Sequence, residues 1–253
     1  MAPRSVSVLS DGMTLPGDLA IPEGAKAVVA FAHGSGSSRR SPRNVVVAER
    51  LQAAGLGTLL FDLLTDVEAE DRGKVFDIAL LARRLEGAVG WLRADLDLRE
   101  LRVAFFGAST GAAAALVAAA HLGRDVAAIV SRGGRPDLAA EALEVVSAPT
   151  LLIVGGADTQ VLELNRQAQA RMRSETRLEI VPGPPTSSRN RARSNASPSS
   201  RSRGSPTTPA DRYAPASSLA RSACTVRASM MTSVNASTSS ADPGSPLGAM
   251  GSP

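Results

Sequence analysis

Histidine is almost absent from this chain: its 253 residues include two, His33 and His121. Cys224 is the single cysteine, which excludes a disulfide framework. Aromatic residues make up 3% of the sequence, with one Trp and one Tyr. Long apolar runs are missing as well. The longest, around residues 112–120, is too short to cross a bilayer. The opening residues MAPRSV lack the apolar core of a secretory signal, so a soluble cytoplasmic protein with no membrane partner is expected.

One stretch has little of anything that folds. From the Leu/Ile/Val/Phe set, residues 184–253 hold only Leu219, Val226, Val234 and Leu247, among nine prolines and eighteen serines. Such a composition cannot bury enough apolar surface to offset its ordering entropy, so a disordered tail is expected there. The charges divide at the same place. The tail has eight Arg against two Asp, whereas residues 1–183 have 20 basic and 22 acidic residues. The positive net charge therefore belongs to the tail. An Arg/Ser arm of this density would bind phosphates weakly and lose them to salt. Only Tyr213 could stack on a base, and no nucleic-acid partner is expected.

What is present lies in residues 1–183. Segments 5–9 and 13–21 meet at Asp11-Gly12 and predict a hairpin. Short apolar runs at 27–32 and 57–61 predict buried strands, and 101–106, 126–130, 150–154 and 177–181 predict further strands. Helical spacing predicts helices over 44–54, 75–92, 109–121, 137–146 and 161–172. Strands alternating with helices specify βαβ units and a mostly parallel sheet with helices on both faces.

Gly107-Ala-Ser-Thr-Gly111 stands between a predicted strand and a predicted helix. G-x-S-x-G in that setting is the nucleophile elbow: a turn tight enough to need both glycines, with Ser109 exposed at the strand tip. Two further turns follow predicted strands. His33-Gly34-Ser35-Gly36-Ser37 would supply backbone donors for an oxyanion from Gly34 and Ser35, with the Thr110 amide as the other donor. It also reads as a Gly/Ser-rich turn of no chemical interest. Gly155-Gly156-Ala157-Asp158 offers Asp158 as the acid that orients a histidine, or as the N-cap of the next helix.

The base itself is missing. His33 belongs to the oxyanion turn, where its ring orders the loop. His121 lies twelve residues past Ser109, about 18 Å along a helix, and reads as a helix-end residue meeting the C-terminal dipole. No histidine follows residues 177–181, where the order Ser, Asp, His would place one.

The segments FAHGSGSSRRSPRN (31–44), GLGTLLFDLL (55–64), VFDIALLARRL (75–85), FFGASTGAAAAL (105–116), SRGGRPDLA (131–139) and LLIVGGADTQVLELN (151–165) resemble the dienelactone hydrolase-like α/β-hydrolases, in particular the small bacterial members. The resemblance implies an α/β-hydrolase fold without a cap domain over residues 1–183. It also implies hydrolysis of a small carboxylic ester, lactone or related acyl compound through an acyl-enzyme on Ser109, with Asp158 as the acid. No metal or cofactor is implied, and the oligomeric state stays open. His33, Arg132 and Arg135 would stand at the substrate rim, where the two arginines meet an anionic substrate or simply lie in a solvated loop. Two departures stand out. Authentic dienelactone hydrolases use a cysteine where this chain has Ser109, and the family's histidine loop and final helix have no counterpart.

A one-base shift over residues 184–195, with GC-rich codons, permits the reading ATHLFEEPGALE. That is a histidine loop followed by an acidic helix former, as in many α/β-hydrolases. The tail from about residue 184 thus reads as a frameshift product, or else as a genuine disordered tail. A non-catalytic pseudo-hydrolase, binding an acyl ligand or a protein partner, is the other functional reading; the missing histidine favours it, but a frameshift would make that absence an accident of the coding sequence.

Overall fold

A computed structural model describes residues 3–182, so the readings made for 184–253, including the missing final helix, lie outside the described residues. Eight strands form one sheet: β1 Arg4–Ser10, β2 Met13–Ala20, β3 Ala27–Ala32, β4 Gly57–Phe61, β5 Arg102–Ala108, β6 Val126–Arg132, β7 Thr150–Gly155 and β8 Thr176–Val181. Their spatial order is β1-β2-β4-β3-β5-β6-β7-β8. β1 pairs antiparallel with β2, and β2 with β4, while every later pair is parallel.

The inner strands are apolar without interruption because both sheet faces are covered. Alternate side chains serve opposite cores. Val28, Ala30, Val103, Phe105 and Ile129 pack on one face with α4 (Ile78–Ala94), α5 (Thr110–Leu122) and Ala168 of α7 (Thr159–Arg171). Val29, Phe31, Ala104, Phe106 and Val130 pack on the other with Val47, Ala48 and Leu51 of α1 (Pro42–Ala53). Phe31 and Phe106 meet there, ring centroids 5.0 Å apart.

This arrangement places the site. The neighbours β3 and β5 send their following helices, α1 and α5, to opposite faces. Their carboxyl ends therefore open a crevice at a topological switch point, where ligands of open α/β sheets bind.

Three elements differ from expectation. The helix expected over 75–92 begins at Ile78, because Asp77 caps it by accepting from the Leu80 amide at 2.9 Å. Val75 instead ends a short excursion made of α2 (Asp66–Glu70) and α3 (Arg72–Val75). Thr65 and Glu68 start α2 with a reciprocal capping box. The helix expected over 137–146 is broken into a 3-10 turn, Pro136–Ala139, and one turn of α6, Ala142–Val145. Ala140 turns left-handed between them, at φ 48°. Ala139, Leu143 and Val146 are still buried, so two offset turns satisfy the spacing that suggested one helix. Among the described residues no helix is long and apolar enough to cross a membrane.

Candidate active site

Ser109 joins β5 to α5 with φ 52° and ψ −124°. A non-glycine residue holds such a conformation, at a cost of about 1–3 kcal/mol, only where its surroundings impose it. Here they do. The Ser109 carbonyl accepts from the Ala112 amide and from the Arg135 amide, each at 3.1 Å. A Cβ at Gly111 would lie 2.2 Å from the Ala32 carbonyl oxygen, and one at Gly107 would lie 2.5 Å from the Ala112 Cα. Gly34 packs so closely that a Cβ there would sit 2.8 Å from the Ser109 Cβ. Strand, turn and helix thus close around the serine.

The turn after β3 lies against this elbow. The Ser35 amide donates to the Thr110 Oγ at 3.1 Å. Of the three backbone groups expected to face an oxyanion, Ser35 is thus already engaged. Thr110 is the first residue of α5, where an amide has no intrahelical acceptor.

Both His33 nitrogens have partners. Nε2 accepts from the buried Leu63 amide at 3.1 Å, which leaves the proton on Nδ1, 3.1 Å from the Gly34 carbonyl oxygen. Burial lowers its pKa, against the opposing effects of the Gly34 carbonyl and the Asp62 carboxylate. A neutral imidazole bonded at both nitrogens orders a loop and moves no proton. His121 is exposed at the far end of α5, its Nδ1 2.7 Å from Glu86 Oε1. Its partner is thus a carboxylate on α4, in addition to the helix end proposed for it.

Asp158 follows β7, on the same carboxyl edge of the sheet as Ser109 and two strands away. Its Oδ1 accepts from the Val161 amide at 3.1 Å and caps α7. One oxygen is thereby used, and Oδ2 is the atom left for orienting a base.

The two rim arginines are turned to other work. Arg135 grips Asp137 through two bonds, 2.8 and 2.7 Å, and this hydrogen-bonded pairing raises its pKa. What reaches Ser109 is its backbone amide. Arg132 lies largely buried on the α1 side, donating to Asn44 Oδ1 at 3.2 Å with its guanidinium 5.9 Å from the Phe106 ring centre. Burial and the neighbouring Arg43 cation push its pKa down.

Two residues of the site had not been singled out in the sequence. Asp62, just past β4, accepts from the Arg39 amide at 2.7 Å and pairs with the Arg39 guanidinium. With the His33–Leu63 bond, this fastens the turn after β3 to the exit of β4. A carboxylate directly after a buried apolar strand was the available signal. Asn165 of α7, fully buried, donates to the Gly134 carbonyl at 3.1 Å and holds the loop that carries Arg135.

The chain is similar to several known proteins. A dienelactone hydrolase from Anabaena variabilis shares 45% identity at a TM-score of 0.77, over 92% of this chain and 99% of that one. Est1E from Butyrivibrio proteoclasticus matches in fold, with 16% identity and a TM-score of 0.60 over 72% of this chain and 89% of that one. A Mycobacterium tuberculosis protein named "Putative phosphoribosyl transferase" is 56% identical over 180 residues, or 71% of this chain. The chain spans about two fifths of the length of such curated relatives, 41%. No protein-family model matches.

Proposed function

The chain belongs to the dienelactone hydrolase-like α/β-hydrolases, and on that footing we propose that its site cleaves small carboxylic esters or related acyl compounds through an acyl-enzyme on Ser109. The observation that carries this reading is the φ 52° elbow, which presents a serine between two helix-and-strand contacts too close for any residue but glycine. Ser109 Oγ attacks the carbonyl carbon, and the amides of Thr110 and Gly34 take the oxyanion. Ser35 is assigned the supporting bond to Thr110 rather than a place in the pair. The alcohol leaves with a proton, and water then releases the acid from Ser109. Asp158 is the acid that would orient the histidine handling both protons.

That histidine is what the chain does not supply. His33 and His121 are both committed elsewhere, and residues 182–253 contain none. A serine hydroxyl without a base stays protonated at neutral pH. In subtilisin, loss of the histidine alone costs about 10⁶ in kcat. The chain as written is therefore proposed to be nearly inactive, and the sequence from about residue 184 to be a frameshift product.

The nucleotide sequence at codon 183 tests the second point. p-Nitrophenyl acetate hydrolysis tests the first, measured on this chain and on one whose frame is restored after Gly183. Activity in the restored chain that vanishes in Ser109→Ala supports the hydrolase reading, and inactivity in both overturns it. Turnover by the chain as written that depends on Ser109 overturns the claim that the base is missing.

A further inference from the structure

Beside the elbow lies a cavity of about 140 Å³ with two unlike walls. One is the turn after β3 together with Thr110. The other is aliphatic, made of Leu64, Ala69, Val75 and Leu81. Ala69 belongs to α2 and Val75 to α3, so the excursion between β4 and α4 forms one side of a pocket adjoining the oxyanion donors.

The cations near it are already paired or lie on the other face of the sheet. Lys74 and Arg84 both reach Glu68 Oε1, at 3.5 and 3.0 Å. Arg39 is held by Asp62 and by Asp18, the latter at 3.3 Å. Arg135 is spent on Asp137, and Arg132 lies on the α1 side of the sheet. Lys74, Arg84, Arg39 and Arg135 each already hold a carboxylate and Arg132 lies on the α1 side, so an acyl group carrying its own carboxylate would lose hydration against Leu64 and Leu81 with no ion pair in return. Size sets the other limit. An apolar cavity of roughly 150 Å³ accommodates benzene, about six non-hydrogen atoms.

We propose that this cavity is the acyl-side pocket of the site, that it takes an uncharged group of about six non-hydrogen atoms, and that Ala69 and Val75 set its length. The proposal rests on the hydrolase reading of Ser109 and narrows it to esters of short neutral acids, linear or aromatic. It separates this chain from enzymes that select a carboxylate-bearing lactone.

Carboxamides test the pocket without turnover. Ligand-observed NMR on the full chain would compare butyramide, benzamide, octanamide and the anion succinamate. Butyramide and benzamide are expected to bind, with octanamide and succinamate at least ten-fold weaker. Ala69→Leu, at an exposed position of α2, is expected to weaken benzamide at least ten-fold. Val75→Leu should repeat that block from α3, with circular dichroism confirming that each variant is folded. Equal affinity for succinamate overturns the neutral character, and equal affinity for octanamide overturns the length limit. Absence of binding, or benzamide affinity unchanged in both folded variants, overturns the location. The ester assay on Ser109 remains separate. Amide binding without Ser109-dependent turnover in the restored chain overturns the hydrolase reading alone, and turnover without amide binding overturns the pocket alone.

Discussion

His33 shows how a single side chain can tie a loop to the sheet. Its imidazole bridges the exit of β4, through the Leu63 amide, to the turn that carries Gly34. Burial lowers its pKa below the ordinary 6.5, so over a range of acidic pH the unfolded chain binds a proton that the folded chain refuses. Stability should therefore be full above about pH 6.5 and fall as the pH drops below it, until the folded-state pKa is reached. Urea midpoints at pH 7.5 and 5.5 check this. His33→Gln keeps an acceptor for Leu63 and removes the titration, so its midpoint should change less between the two pH values. The sequence placed His33 in the turn after β3, and its ring bonds to that turn and to the exit of β4. Its partner was not legible, because Leu63 contributes a backbone amide, and backbone donors carry no signature in side-chain identity.

At the scale of elements, the site depends on how closely β3, β5 and α5 approach. Gly111→Ala would push a methyl group into the Ala32 and His33 carbonyl oxygens, at 2.2 and 2.5 Å. Overpacking against backbone that cannot yield should cost about 3 kcal/mol, read as a lowered urea midpoint with the m-value unchanged. The two glycines and the strand–turn–helix context were legible because the motif states its own geometry. So were the six parallel strands, and the uninterrupted apolar runs of the inner ones follow from having a core on each face. The excursion of α2 and α3 was not read, although Thr65-x-x-Glu68 is a capping signal. It is too short for helical periodicity to register. The break at Ala140 was hidden for the opposite reason: apolar spacing reports which side chains are buried and is indifferent to a left-handed residue between them.

The whole molecule is a sheet whose centre and edges differ. β3, β5 and β6 are almost wholly buried, whereas β1 and β8 each close one margin and are only partly buried. Local opening follows burial and hydrogen bonding, so amides of β3, β5 and β6 should exchange hydrogen slowest and those of β1 and β8 fastest. Hydrogen-exchange mass spectrometry resolves the ranking, and a β8 peptide as protected as β5 would contradict it. Since Ser109 follows β5, the nucleophile would sit on the least mobile strand of the molecule, with Asp158 carried nearer the margin.

The clasp around Ser109 is made of main-chain bonds and missing methyl groups, and none of it requires a working base. Selection for folding alone is enough to preserve Gly107, Gly111 and the backbone angles of residue 109 in a lineage that no longer turns over substrate. The hydroxyl has no such protection. Folding would tolerate alanine there and would favour glycine, so the glycines record ancestry while the serine records use. A population of related genes could thus be sorted by residue 109 alone into those still under selection for catalysis and those kept for their shape.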